Sequence, residues 1–505
     1  MSTLTEQKTP RIEKSQRLKW SPEYMQSQFI WVVSLLTTLV FLGSSYDFAN
    51  RTTKPALFAV FTVYALFTLI QVLITWFIRR DVLNYGEIRS ATRRLGYVQV
   101  LSIVTGNLFT AIFGLHFIKK RTTNEYTLAI YLLVTQICVI AVSSLNLFKP
   151  YVTDTFLPSM FVLVGITLFY LITLVLVAMY VDRRQAPKWM IYIAIPLMLT
   201  SITGNLFALL LGLDLIFKIR QTLKPGSGNW ERIWNKITRN YSSMFGLFFI
   251  VFMFAISVSS YFTFDYDMAV QNNYSAILQT PNLAYPLGTD HFGRDLFSRI
   301  VFGARISLVV GFISTIIPVI IGGILGAFAG YYGRYTDNII MRLLDVLYAI
   351  PGILLAIAII AAFGANTTNL ILALSVGSIP TYARTMRANV LMVSNYEYVD
   401  AARAFGSSNL SIIFRHIVPN SFAPMIVKST LTIGGAVIAT SSLSYLGLGV
   451  EPHIPEWGNI LKVGSTYLES HSYLAIYPGL AIVALVLSFN FLGDGLRDAL
   501  DPKID

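Results

Sequence analysis

The sequence predicts an all-α polytopic membrane protein of about twelve transmembrane helices: a duplicated three-plus-three segment extension, then a six-helix core. Three observations carry this. Of 505 residues, 55% are hydrophobic and only 13% charged, whereas a soluble globular chain keeps about 25% charged. Apolar runs of roughly the 20 residues that cross a bilayer recur about twelve times. The Lys and Arg residues behind the net charge of +12 gather at the ends of those runs, as in cytoplasmic loops of membrane proteins; this distribution argues against a nucleic-acid partner. The single cysteine, Cys138, lies inside an apolar run, so neither an intrachain disulfide nor a cysteine metal cluster is expected. The five histidines are scattered without ligand spacing, and no metal site is expected. The first 27 residues are polar and basic with no small-residue cleavage site behind the first apolar run, so no cleavable signal is expected.

Residues 1–222 form the extension. Lys8, Arg11, Lys14, Arg17 and Lys19 precede the first span and favour a cytoplasmic N-terminus. Apolar runs follow at about 28–46, 55–78, 97–118, 126–148, 157–181 and 189–219. LSIVTGNLFTAIFGLHFIKK at Leu101–Lys120 and LTSITGNLFALLLGLDLIFK at Leu199–Lys218 share Thr-Gly-Asn-Leu-Phe and a Gly-Leu pair at the same offset. Two apolar runs precede each copy, so the simplest account is a duplicated unit of three segments.

Gly-Asn inside such a segment fits either close helix packing with one interhelical hydrogen bond or a re-entrant helix. Length favours six full spans, which places Lys119, Lys120, Arg121, Arg183, Arg184 and Lys188 outside, against the positive-inside rule. The re-entrant alternative, bent at Thr-Gly-Asn, moves these charges inside. His116 and Asp214 hold equivalent positions near the segment ends, where interfacial placement is expected.

Residues 223–240 hold a break, Lys224-Pro-Gly-Ser-Gly-Asn229, and an amphipathic elbow, Trp230–Arg239. The span Tyr241–Phe262 opens the core, 241–505. The polar segment 263–300 leads into a helix and carries Gly288-Thr289-Asp290, Gly293-Arg294-Asp295, Arg299 and Arg305. Local salt bridging around a helix start accounts for Asp290 and Arg294. Gly322, Gly326 and Gly330 form a track that lets a helix backbone approach closely. In Met341–Ala362, Asp345 could line a pathway or pair with Arg342; the pairing is favoured. Ile371–Arg387, Met425–Leu448 and Leu474–Leu492 are further apolar runs.

The longest polar interruption of this half is Asn395–Asn420, NYEYVDAARAFGSSNLSIIFRHIVPN. It reads as two short helices. Tyr398, Ala401, Ala402 and Phe405 share one face, and Leu410, Ile413, Phe414 and Ile417 another. Gly406 breaks the run, Ser407 or Ser408 can cap the second helix, and Pro419 is expected to stop it.

This stretch resembles the cytoplasmic EAA loop of ABC importer permeases. Asp400-Ala401-Ala402 fills the E-A-A, Gly406 the glycine and Pro419 the proline; Asp400 departs from the usual glutamate, and His416-Ile417-Val418 stands where I-x-L is expected. The run from Gly288 to Leu308 more specifically resembles C-type permeases of dipeptide and oligopeptide ABC importers. Tyr382-Ala383-Arg384 and Arg387 resemble that family's y-A-R-x-x-R run, with Pro380-Thr381 in place of a tryptophan and its neighbour. Tyr445–Ile460, with Trp457-Gly458, is similar to the family's extracellular re-entrant segment, and Gly493–Asp505 to its cytoplasmic tail. The resemblance spans about 230–505, and no family is recognised in the residues of the extension.

The resemblance implies a permease subunit that carries di- or oligopeptides and couples through 396–420 to separate ATPases, with Asp400, Ala401, Ala402, Gly406, Arg415, His416 and Pro419 at that contact. It places Gly288 to Arg305 on the extracellular, binding-protein side. Implied partners are a B-type permease, two ATPases that bind ATP and Mg²⁺, an extracellular binding protein and membrane lipid. This chain is expected to hold no cofactor and no catalytic residue, and no G-x-x-x-x-G-K-[ST] run occurs in it. Both termini are expected in the cytoplasm of a bacterial cell, with the core independent of residues 1–222. Nickel, heme or a metal chelate are alternative cargoes. An independent secondary transporter would need coupling carboxylates inside several spans, where only Asp214 and Asp345 are candidates.

Overall fold

The protein is described by a computed structural model covering residues 18, 21–47, 52–53, 55–119, 123–182, 185–221 and 228–500. Lys8, Arg11, Lys14, Arg17 and Lys19, together with Lys120, Arg121, Arg183, Arg184, most of the 224–229 break and the last five residues of the tail, fall outside the described residues.

The chain divides into two compact units. One comprises Met1–Val134, Phe169–Met198 and Leu210–Pro225; the other comprises Thr135–Leu168, Leu199–Leu209 and Gly226–Asp505. Neither is continuous in sequence: parts of the extension fold together with the 226–505 core.

The expected all-α class holds. Among the described residues, eight helices are long and apolar enough to cross a membrane, or nine if one bent pair is a single span. In the extension these are α1 (Pro22–Ser44), α2 (the span Leu57–Tyr85 within Pro55–Tyr85), α5 (Asn124–Ser144) and α6 (Phe156–Tyr180). A two-residue antiparallel ribbon, Tyr46–Asp47 with Thr52–Thr53, joins α1 to α2.

The six-span expectation for the extension does not hold, because both Thr-Gly-Asn segments are helical hairpins. In the first, α3 (Gly96–Val100) passes through a 3-10 turn to Gly106 at φ +77°, and α4 (Leu108–Ile118) returns. In the second, α7 (Ile191–Thr200) reaches Gly204 at φ +90° and α8 (Leu206–Gln221) returns. A left-handed residue reverses the chain, and glycine adopts it without a Cβ penalty. The first pair of legs is antiparallel and touching: a Cβ on Gly114 would lie 2.6 Å from the Gly96 carbonyl. A Cβ on Gly212 would lie 2.4 Å from Met198 Cγ and 3.0 Å from the Ala194 carbonyl. The re-entrant alternative is thus the observed backbone path: Gly106 and Gly204 make the reversals, while Gly96, Gly114 and Gly212 let the legs touch.

The first hairpin tip is pinned by polar contacts suited to an apolar surrounding. Ser102 Oγ donates to the Asn107 carbonyl (2.9 Å), Thr110 Oγ1 to Ser102 Oγ (2.6 Å), and the Asn107 amide to Ser34 Oγ (3.1 Å). In the second, the Asn205 amide donates to Gln136 (3.4 Å).

In the core, α9 (Gly228–Arg239) is the elbow, burying Trp234 and Ile237. Helix α10 (Tyr241–Thr263) follows, then α11 (Leu296–Tyr332), 37 residues long. Next come α12 (Arg334–Tyr348) and α13 (Gly352–Phe363), bent by 79° at Pro351. Proline disfavours a helical conformation at the residue before it, which accounts for the break. Helix α14 (Thr367–Val393) is long but too polar to count among the eight. The remaining helices are α15 (Glu397–Ala404), α16 (Ala423–Tyr445), α17 (Trp457–Thr466) and α18 (Tyr473–Leu500), which absorbs the start of the expected tail.

The glycine track is a packing device, as expected. Cβ atoms on Gly322, Gly326 and Gly330 would strike α14 backbone at Ile379 (2.8 Å), Ala383 (2.2 Å) and Arg387 (2.9 Å) in turn. Both series rise together, so α11 and α14 run parallel with their C-terminal ends side by side. A second anchor is Trp457, fully buried, whose indole donates to the Ile300 carbonyl (2.9 Å).

Candidate functional site

The 395–420 loop is built where α14 ends. Helix α15 stops at Phe405, Gly406 turns the chain at φ +77°, and Ser408 caps the next helix by accepting from Ser411 N. Nothing lies within 4 Å of a Cβ built on Gly406, so the glycine is required for its backbone angle rather than for space. Pro419 does not stop the second helix, which runs to Ser421 through one π-helical turn, Ile412–Ile417. A proline removes one backbone donor, and the widened turn before it leaves the helix continuous.

The faces differ from the expected stripes. Val399, Ile412, Ile413 and Ile417 are fully buried against Tyr382, Met386, Val390 and Met425. They clamp the loop to α14 and α16. Tyr331 adds a hydrogen bond from its hydroxyl to Asn409 (2.9 Å). Of the residues expected on the stripes, Phe405 is 90% exposed, Leu410 55%, Phe414 49% and Tyr398 39%. Asp400, Ala401 and Arg415 are also exposed, while Ala402 and His416 are half-buried. Among the described residues, Asp400 pairs only with Arg403 on its own helix, at 3.0 Å. The loop therefore turns one apolar face into its own helices and presents a second, unfilled one outward.

The 288–305 motif lies at the opposite end of α11 and is a folded turn. Asp290 accepts from the backbone N–H groups of Phe292 and Arg294 (both 2.9 Å) and from Arg294 Nε (2.7 Å), with Arg299 Nε at 3.8 Å. Local salt bridging is thus the observed role of Asp290 and Arg294. Gly288 (φ +81°) and Gly293 (φ +74°) close the turn; a Cβ on Gly293 would lie 1.8 Å from the Asn273 carbonyl. Thr289, fully buried, forms a bridge with Asp295. Asp295 caps α11, accepting from Phe297 N (3.2 Å) and Ser298 N (3.0 Å). Arg299 donates to the Ala269 carbonyl (2.7 Å); Arg305 donates to Ser260 (3.0 Å) and lies over the Tyr261 ring at 3.3 Å.

Sequence reading missed Lys149. Its ammonium sits 2.6 Å from Asp295 and 2.7 Å from Ser298 Oγ, buried between Phe264 and Phe297. In sequence it is one lysine at the end of an apolar run, indistinguishable from an interfacial anchor. The expected Asp345–Arg342 pair is also not formed. Asp345 pairs with Arg384 of α14 at 2.6 Å, because α11 and α14 run parallel and bring the α14 arginines beside α12.

The chain is a helical membrane protein whose 395–420 loop is clamped on one face and exposed on the other. Residues 322–505 match the family described as binding-protein-dependent transport system inner membrane component, and residues 228–281 match the N-terminal TM domain of oligopeptide transport permease C. The chain belongs to this family of multi-pass inner-membrane ABC importer permeases. It is 42% identical over 275 residues to the glutathione transport system permease protein GsiD of Pectobacterium atrosepticum, covering 54% of this chain and 91% of that protein. It is 41% identical to the dipeptide transport system permease protein DppC of Alkalihalophilus pseudofirmus, covering 54% and 90%. An inward-facing MetNI methionine ABC transporter structure is similar at 20% identity, with a TM-score of 0.34, over 40% of this chain and 97% of that one. Both family matches lie within residues 228–505, outside the extension.

Proposed function

We propose that this chain is the C-type permease of an ATP-driven importer of short peptides, working beside a B-type permease. ATP and Mg²⁺ are bound, and ATP hydrolysed, by two separate ATPase subunits, and an extracellular binding protein delivers the cargo. The printed activities of the similar permeases, glutathione and dipeptide transport, support the substrate class. One observation carries the coupling assignment: Phe405, Leu410 and Phe414 are exposed on a loop whose other face is fully packed. Isolated exposed apolar residues are ordinary, but a cluster on a rigid support marks a contact surface. The ATPase groove is its occupant in this reading, so the loop and both termini lie in the cytoplasm and the 288–305 motif outside. ATP-driven closure of the ATPases then shifts the permease between inward- and outward-facing populations.

Co-expression with the ATPase and permease genes of the same transporter tests this. Purified complex is expected to contain all subunits and to take up peptide only with ATP. A chain that purifies free of ATPases, and drives uptake with a proton gradient instead, would overturn it.

A further inference from the structure

Helix α14 carries Arg384 and Arg387 of the y-A-R-x-x-R run. Its two arginines face α12 across a polar basin of about 490 Å³. Arg384 pairs with Asp345 at 2.6 Å and Arg387 with Asp337 in a bidentate contact. The basin also holds Arg334 and Arg342. Among the described residues, neither of those two guanidiniums has an ion-pair or hydrogen-bond partner. Four guanidiniums against two carboxylates leave two positive charges facing an open volume.

The geometry points to a binding site for the C-terminal carboxylate of the transported peptide, formed by Arg334 and Arg342 in a basin that the Arg384–Asp345 and Arg387–Asp337 pairs hold open. The inference rests on the peptide-importer reading above. Guanidinium is the group suited to a carboxylate, which it can grip through two parallel hydrogen bonds. The two Asp residues are already satisfied by α14, so they hold α12 in place without neutralising the other two arginines. The volume falls within the range of roughly 300–1,000 Å³ usual for small-ligand pockets. Position adds to this: Arg387 lies less than two turns before the end of α14, which runs directly into the 395–420 loop. The basin is therefore at the loop end of the helices, where an imported peptide would leave. Ile339, Leu343 and Val346 on α12, and Ile353, Leu354 and Phe363 on α13, are exposed. On the importer reading, that apolar face is where the second permease would pack, which would set the basin beside the shared pathway.

The test uses the complete transporter in proteoliposomes, with the binding protein saturated by Ala-Ala-Ala or by its C-terminal amide. Arg334→Gln with Arg342→Gln is expected to slow ATP-driven uptake of the free acid about tenfold, the usual order for a charge-assisted contact. Amide uptake is expected to change less than twofold, with ATP hydrolysis retained. Arg334→Lys with Arg342→Lys, which keeps the charge, is expected to recover most of the free-acid rate. Equal losses for both peptides, or no loss for either, would overturn the site. So would a defect that follows the phosphatidylglycerol content of the vesicles instead of the peptide carboxylate, since that would make it a lipid-headgroup site. Absence of ATP-driven uptake of either peptide by the unaltered complex would remove the importer reading itself, and the basin with it.

Discussion

Lys149 Nζ lies 2.6 Å from Asp295 Oδ2, with both side chains buried. This pair decides the path of the extension. Asn146 also donates to the Thr263 carbonyl (2.7 Å) and Thr155 to the Phe262 carbonyl (2.9 Å). The end of α5 and the start of α11 therefore lie on the same side of the membrane. Between Lys149 and Asp295 the chain crosses in α6 and in α10. An even number of crossings brings it back to the same side only if the Thr-Gly-Asn segment between them does not cross. The contact and the hairpin geometry agree independently on a Thr-Gly-Asn segment that does not cross.

Lys149→Met is expected to lower the melting temperature of the purified chain sharply. Removing one partner of a buried pair leaves the Asp295 carboxylate uncompensated, at about 3–5 kcal/mol. Adding Asp295→Asn should restore part of the loss. A chain beginning near Gly226 lacks the same ammonium, so it is expected to yield less stable permease than the family resemblance alone suggests. An unchanged melting temperature in Lys149→Met would show that the pair is dispensable.

Phe405→Asp is expected to leave the chain folded in the membrane yet abolish substrate-stimulated ATP hydrolysis, because Phe405 is 90% exposed and contributes little to packing among the described residues. Gly406→Ala should be milder, with the left-handed turn costing about 1–2 kcal/mol for a residue with a Cβ. Full coupling in Phe405→Asp, measured as ATP hydrolysis per peptide taken up, would remove this loop from the contact.

Gly326→Val should destabilise by at least about 1–3 kcal/mol, the usual cost of overpacking, because its Cβ would lie 2.2 Å from the Ala383 carbonyl. Gly435→Ala, where nothing lies within 4 Å, is the matched control and is expected to be neutral or slightly stabilising. Thermal melting of the two variants in the same detergent checks the contrast.

His291 supplies a pH dependence. Burial holds its imidazole below the ordinary histidine range, with Asp290 opposing and Arg294 and Arg299 reinforcing. The folded chain thus binds the proton less readily than the unfolded one. Its contribution is complete above the ordinary value of about 6.5 and is lost as pH falls through the folded value. Melting temperatures at pH 7.5 and 5.0 should differ less in His291→Gln than in the parent chain.

Accessibility labelling tests the hairpins directly. In a Cys138→Ala background, Lys188→Cys is expected to resist a membrane-impermeant thiol reagent on intact cells and to react once the membrane is opened. Tyr274→Cys, 69% exposed near the opposite motif, should react at once. Labelling of Lys188→Cys on intact cells would restore the six-span path.

The core was legible because its signals are local: helix-length apolar runs, the glycine track and the capping serine each depend on neighbours in sequence. The hairpins were not, because 22 or 31 residues suffice for a crossing or for two short legs, and the sign of φ at Gly106 and Gly204 leaves no trace in composition. The outward turn of Phe405 escaped for a similar reason. A helical stripe gives a face but not which side packs, and Val399, one residue off the expected stripe, took the inner position. Lys149–Asp295 and Arg384–Asp345 join residues 146 and 39 positions apart, beyond any periodicity.

The outward face of the 395–420 loop also bears on the life of the chain before assembly. A copy made in excess of its ATPases would present Phe405, Leu410 and Phe414 to the aqueous compartment with nothing to cover them. Such a patch is the kind of surface that chaperones hold and proteases of the quality-control machinery select. Cellular abundance of this chain would then be set by the supply of its partners rather than by its own rate of synthesis. The surface that transmits ATP-driven motion in the finished machine would serve, in the orphan subunit, as the mark for its removal.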